Sequence, residues 1–240
     1  MLPYAPVHHL LFDEDLAVLV MTSGNASGEP IIAELPEAEE KLAGIADAFL
    51  THDRGIENRS DDSVVFVEGG RTMMARRSRG YAPYPVDLDC GVEEAPGVLA
   101  CGTELKCTFT LLEGGRAHVS QHIGDMENQA TLELYEEMVA KFIGWFRAEP
   151  RAVAHDLHPD YLATRFAREF AAERGVTAVG VQHHHAHIAS VMAESGVTEP
   201  VVGLALDGTG YGTDGAIWGA SYSSRTSRTS RAPGPTRPCR

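Results

Sequence analysis

Cysteine is scarce: the 240 residues hold four, at positions 90, 101, 107 and 239. Their spacing fits neither a CxxC pair nor the framework of a small secreted scaffold, which leaves reduced thiols and a cytoplasmic setting. Long apolar runs are also missing. None approaches the ~18 residues of a membrane span, and the opening MLPYAPVHHLLFDED lacks the basic-then-apolar layout of a signal peptide. Positive charge is in deficit, with 20 Lys and Arg against 34 Asp and Glu, a formal charge of −14. That balance argues against a dedicated nucleic-acid or anionic-membrane surface. Small anionic ligands stay compatible with it, because loops and helix ends hold them without a basic face. With 43 % hydrophobic residues the chain can bury a sizeable core, as one large or two modest domains.

The charge is unevenly spread. Residues 221–240, with a repeated Arg-Thr-Ser unit, carry five of the basic residues and no acid. They offer almost nothing to bury, so residues 220–240 are expected to form a disordered basic tail. Residues 1–88 read as one unit: a short apolar helix from Pro6 to Leu11, a buried strand LAVLVMT, a glycine-rich loop, and a helix from Pro36 to Phe49. Two β segments follow, joined at Gly69-Gly70 in the manner of a hairpin. The acidic, turn-rich residues 89–95 read as a linker. From 96 to 219 strands and helices alternate. Strands are expected at Gly97–Cys101, Thr108–Leu112, Ala117–Gln121, Ala152–His155, Thr177–Val181 and Val201–Leu206. Helices are expected at Asn128–Phe146, Tyr161–Glu173 and His184–Glu194. The order βββαβαβα, then a new strand, demands a mixed α/β sheet with helices packed on it, and it matches one lobe of a ribonuclease-H-like, actin-type ATPase fold.

Three segments could carry chemistry. In MTSGNASGEP, Thr22, Ser23 and Asn25 offer short polar side chains, while Gly24 and Gly28 let a phosphate reach bare N–H groups. An ordinary polar turn has the same composition. In VQHHHAHIASVMAE, His183 and His187 lie four apart, share one face of a helix and can pinch a metal ion, whereas His184 and His185 point elsewhere. Two imidazoles need a carboxylate from another segment, and Asp207, at the end of the next strand, is the nearest candidate. Glycines 208, 210 and 212 follow it, a strand-then-glycine layout that suits phosphate binding by backbone amides or, equally, a hairpin turn. Arg76, Arg77 and Arg79 could grip phosphate or end a solvated strand. Asp160 reads as a helix N-cap, and His122, Asp125 and His158 as catalytic or satisfied polar residues.

Taken in order, MLPYAPVHHLLF, MTSGNASGEP, HDRGIENRSDDSVV, RRSRGYAPYPV, SQHIGDMEN, AHDLHPDYLATRFA, QHHHAHIASVMAE and ALDGTGYGTDGAIWG resemble successive blocks of the HypF carbamoyltransferases, which mature NiFe hydrogenases. The resemblance spans about residues 1 to 219. It implies the end of a YrdC-like α/β domain followed by the first lobe of an actin-type transferase domain, with the second lobe truncated. It implies that carbamoyl phosphate and ATP are converted through carbamoyl adenylate, and that the carbamoyl group passes to the C-terminal cysteine of a HypE-like acceptor protein. By the same resemblance Ser23 and Asn25 fall on nucleotide contacts, as do Thr22, Gly208, Gly210 and either Arg77 or Arg79. His183, His187 and Asp207 fall on a zinc or iron site. Two positions depart from the family pattern: Cys107 stands where LKNTF has asparagine, and Ala220-Ser221 where WGGE is usual. The family's acylphosphatase domain, zinc-finger pairs, first part of the YrdC-like domain and nearly all of the second lobe have no counterpart here, so the isolated chain is expected to be a fragment with little or no activity. Two alternatives remain: synthesis of threonylcarbamoyl-adenosine on tRNA, and a non-enzymatic metal-binding or partner-docking role.

Overall fold

A computed structural model of the chain describes residues 3, 5–88 and 96–225; the expected linker and most of the expected basic tail lie outside them. The first half is loop-rich. It carries α1 (Pro6–Leu10), α2 (Leu35–Leu42) and a hairpin of β1 (Val64–Glu68) and β2 (Arg71–Arg76). The hairpin turns at Gly69 and Gly70, whose φ values of 57° and 76° lie in the left-handed region that glycine reaches without strain.

Two expectations fail here. The apolar run 16–22 is not a buried strand: it has no regular structure, and Val18 and Val20 are 81 % and 98 % exposed. A strand needs a neighbour for its N–H and C=O groups, and among the described residues none lies beside this one. The helix expected over 36–49 stops at Leu42, with Gly44 two residues beyond, and glycine is a poor residue to continue on.

The second half is built on a six-stranded sheet of order β3-β6-β5-β4-β7-β8. Its strands are β3 (Val86–Asp87), β4 (Val98–Ala100), β5 (Thr110–Glu113), β6 (Arg116–Val119), β7 (Ala152–Asp156) and β8 (Thr177–Val181). β4 pairs antiparallel with β5 and parallel with β7, and β7 pairs parallel with β8. Parallel neighbours require crossovers, and α3 (Gln129–Phe146) and α4 (Leu162–Arg174) supply them. The mixed α/β sheet expected of an actin-type lobe is therefore present.

Helix α3 shows why the second half was legible. Thr131, Leu134, Tyr135, Met138, Val139 and Phe142 form one buried stripe at helical spacing. Phe109 of the sheet side packs edge-on against two of them, 5.6 Å from Tyr135 and 4.9 Å from Phe142 between ring centres. Asn128 caps the helix, its side-chain oxygen accepting from the Thr131 N–H at 2.9 Å, while its amide donates to Gly28 O at 2.8 Å in the first half. Asn128→Ala removes these bonds and a third, from Thr131 Oγ1 at 3.1 Å, and should lower stability by about 1–2 kcal/mol, read as an earlier thermal transition.

Helix α4 begins one residue later than expected. Its N-cap is Tyr161, without a side-chain cap, and Asp160 does not serve as one. Beyond α5 (His183–Glu194), β9 (Val201–Tyr211) and β10 (Ile217–Arg225) form a separate antiparallel pair. Ala220 to Arg225 thus belong to a strand rather than to a disordered tail. Among the described residues no helix is long and apolar enough to cross a membrane.

Candidate metal centre and seam cavity

The parallel strands β7 and β8 end side by side, with Asp156 opposite Val181, and α5 starts two residues later. Ligand sites in such sheets gather at the carboxyl ends of the strands. Gln182 caps α5 by accepting from the His185 N–H at 2.9 Å, which fixes the first turn where His183 sits. β9 then passes α5 and presents Asp207.

His183 Nε2 lies 3.0 Å from Asp207 Oδ2, and His187 Nε2 lies 3.5 Å from the same oxygen. The three possible ligand atoms lie within 4.8 Å of one another. On its other side His183 Nδ1 meets Asp156 Oδ2 at 2.7 Å. That contact holds Nδ1 as the protonated nitrogen and leaves Nε2 to turn its lone pair toward Asp207. The Asp156 hydrogen bond is the main cause that holds the His183 pKa above the ordinary imidazole value. For Asp207, burial pushes the pKa up, but the Gly208 N–H and the neighbouring imidazoles outweigh it and the net shift is downward. The Gly208 N–H donates to Asp207 Oδ1 at 2.6 Å.

A metal ion fits these residues. Asp207 Oδ2 is shielded from solvent yet makes no hydrogen bond among the described residues, although two imidazole nitrogens stand close to it. His183 Nε2 at 3.0 Å and His187 Nε2 at 3.5 Å both converge on that one oxygen, the arrangement that ligands around a shared cation would take. Two imidazoles and a carboxylate suit zinc or ferrous iron.

Sequence reasoning placed His183, His187 and Asp207 together, and the structure does the same. It passed over Asp156, whose signal was a carboxylate at the end of a strand just before a histidine-bearing helix. His184, expected off the His183–His187 face as either a supporting neighbour of the site or an exposed residue, is the former: it is 3 % exposed, its Nδ1 meets Ser221 Oγ at 2.7 Å, and its Nε2 is 3.8 Å from Asp207 Oδ2. Burial lowers its pKa, which favours the neutral imidazole. Asp207, Gly208 and Gly210 lie within β9, not in a loop beyond it; the hairpin turns later, where the Gly212 N–H donates to Ala216 O. His158 stacks on Tyr161 at 4.1 Å and meets Tyr211 edge-on at 5.0 Å, close to this centre.

The nucleotide candidates lie elsewhere. Ser23 and Asn25 are hydrogen-bonded to each other and line a cavity of about 480 Å³ on the seam between the two halves. Thr22, the neighbour of Ser23, is not among the residues lining that cavity. Arg76 and Arg59 line it, but Arg77 and Arg79 do not. Arg77 instead donates to the carbonyls of Tyr81 and Tyr84, and Arg79 to that of Ser60 with an ion pair to Asp62. They brace the loops behind the wall. Cys107 is buried, and burial raises its thiol pKa; burial likewise pushes Cys101 up to about 12. Both thiols are therefore neutral core residues.

Comparison with known proteins agrees with this layout. The model of the HypF Kae1-like domain matches residues 93–194, and the Sua5, YciO and YrdC family, described as telomere recombination, matches residues 1–78. Carbamoyltransferase HypF2 of Cupriavidus necator is 49 % identical over 91 % of this chain and 29 % of its own length. Carbamoyltransferase HypF of Rhodobacter capsulatus is 44 % identical over 91 % of this chain and 30 % of its own length. Among solved structures, full-length HypF in a phosphate- and nucleotide-bound form superposes with a TM-score of 0.86 at 46 % identity, over 94 % of this chain and 35 % of that one. Fold and domain matches together define an actin-type, Kae1-like lobe joined to a YrdC-like unit. The chain belongs to the HypF carbamoyltransferase family. It spans about 30 % of the length of the curated relatives it matches.

Proposed function

We propose that this chain serves carbamoyl transfer in hydrogenase maturation, supplying the metal-holding lobe and part of the nucleotide-binding surface. The reading takes carbamoyl phosphate and ATP as substrates. Carbamoyl phosphate is first hydrolysed by water to carbamate and inorganic phosphate; carbamate then attacks the α-phosphorus of ATP, pyrophosphate leaves, and carbamoyl adenylate results; the thiolate of an acceptor cysteine on a HypE-like protein then attacks the carbamoyl carbon and AMP departs. Ser23 and Asn25 lie where the nucleotide would be held, with Thr22 beside them. Arg77 and Arg79, bonded to Tyr81, Tyr84, Ser60 and Asp62, act on the nucleotide region only by holding those segments in place. Gly208, with nothing within 4 Å of where a side chain would start, leaves a phosphate room on β9, whereas the space at Gly210 is taken by His184.

The observation that carries the reading is the convergence of His183, His187 and Asp207 on one point. A zinc or iron ion bound there supplies positive charge that polarises an anionic ligand. The chain's own residues do the rest: Asp156 keeps the proton on His183 Nδ1, and the Gly208 N–H steadies Asp207.

A chimaera tests the function. Residues 1–219 replace the matching stretch of the Cupriavidus necator relative, and the purified protein is assayed for carbamoyl-phosphate-dependent ATP/pyrophosphate exchange and for carbamoylation of the acceptor cysteine. Both are expected. A folded, metal-loaded chimaera that does neither overturns the proposal.

A further inference from the structure

The seam cavity has a wall that the nucleotide motif does not explain. Its first-half side carries Ser23, Asn25, Arg59 and Arg76; its second-half side carries Lys106 and His122. The two sides are bonded together. Asn128 Nδ2 donates to Gly28 O at 2.8 Å, Gln121 Nε2 to Asn58 Oδ1 at 2.9 Å, and His122 N to Arg77 O at 2.8 Å. The loop at 23–28 and Lys106 therefore line one cavity whose two sides are tied together.

Lys106 is held in an unusual way. Its φ of 50° lies in the left-handed region, where non-glycine residues are uncommon. The Asp125 carboxylate accepts its backbone N–H at 2.6 Å and so holds that turn. Such backbone conformations persist where the surroundings enforce them, and they cluster at functional sites. Among the described residues the Lys106 ammonium makes no ion pair or hydrogen bond. The nearby Asp125 is engaged with the backbone instead. The cavity lining carries three cationic side chains, Arg59, Arg76 and Lys106, and three carboxylates, Glu29, Asp61 and Asp125. Arg59 pairs with Glu137 and Arg76 donates to Asp62 O, so among the described residues Lys106 is the lining cation left to meet an anionic group of a ligand. The volume of about 480 Å³ is in the range of small-molecule sites and admits a nucleotide.

We propose that Lys106 is a phosphate-positioning residue of the nucleotide site: the transferase half reaches across the seam and completes a pocket that the YrdC-like half only half encloses. The inference rests on the nucleotide chemistry proposed above and adds to it a named contact from the other domain. It also makes the seam functional, because loosening it separates Lys106 from the loop that holds the rest of the ligand.

The test is equilibrium binding of magnesium–ATP to the purified chain, by calorimetry or with a fluorescent ATP analogue, together with zinc titration of the same samples. Lys106→Ala should weaken ATP binding by about tenfold or more, the usual weight of a hydrogen bond to a charged group. Lys106→Arg, which keeps the charge, should stay within about threefold of the parent. Zinc binding and the thermal transition should not move in either variant, which a merely structural role for Lys106 would not allow. ATP affinity unchanged in Lys106→Ala overturns the inference, and so does absence of ATP binding by the parent chain. A chimaera that fails to transfer carbamoyl groups while ATP affinity still depends on Lys106 overturns the proposed function and leaves the seam contact standing.

Discussion

Asp207→Asn should weaken zinc or ferrous-iron binding by on the order of a hundredfold or more, since even partners behind a metal-ligating histidine are worth about 10–100-fold. Asp207 supplies the only carboxylate among the three grouped ligand candidates, and asparagine keeps its shape while removing the charge that attracts a cation. Asp156→Asn should cost about 10–100-fold, because it touches His183 Nδ1 and acts only through that ring. Calorimetric titration of the purified chain separates the two, and equal affinity in Asp207→Asn and the parent would exclude the assigned centre. The proton competes for the same place. With Asp156 as the main cause, the metal-free His183 keeps its charge to a higher pH than an ordinary imidazole. The pair therefore stabilises the metal-free fold fully below the unfolded imidazole pKa, about 6.5, and that contribution fades as pH rises through the higher folded value. Metal binding runs the opposite way. It must displace the Nε2 proton, so affinity rises from about pH 6 to about pH 8, more steeply in the parent than in Asp156→Asn.

How far the sequence revealed this molecule depended on whether the partners of a segment were local. Helix α3 announces itself because its stripe from Thr131 to Phe142 and its Asn128 cap all lie within one stretch of chain. The β1–β2 hairpin does so because Gly69-Gly70 sits between its strands. The run LAVLVMT misleads because apolar residues reveal a preference for burial and say nothing about whether a neighbouring strand exists. Helix α4 misleads at its start for a related reason: the carboxylate that faces the Leu162 N–H belongs to Glu104, far back in the chain, so the adjacent Asp160 is not needed. The metal centre divides along the same line. His183 and His187 were readable from helical spacing, and Asp207 from its place near the next strand. Asp156 became a partner only through the parallel pairing of β7 with β8, and that register is a property of the sheet.

Gly210→Ala should damage the fold and the metal centre together, whereas Gly208→Ala should leave stability within about 0.5 kcal/mol. Both glycines sit in β9, and only sterics distinguish them. A methyl at Gly208 meets nothing within 4 Å; one at Gly210 falls on His184 Nε2, with Cδ2 at 2.7 Å and His183 Cβ at 3.3 Å. His184 has no easy retreat, being buried and bonded through Nδ1 to Ser221 Oγ. To admit the methyl, α5 must move off β9 or His184 must leave its rotamer, and overpacking of this kind costs about 1–3 kcal/mol. The same movement carries His183 and His187 away from Asp207, because all three histidines ride on the first turns of one helix and Asp207 rides on the opposed strand. Zinc affinity should therefore fall by about tenfold or more, a loss that reaches the ligands through packing alone. A heat-denaturation series with parallel zinc titrations reads both effects. If Gly210→Ala unfolded at the parent's temperature and bound zinc equally well, the close approach of α5 to β9 that sets the ligand spacing would be wrong.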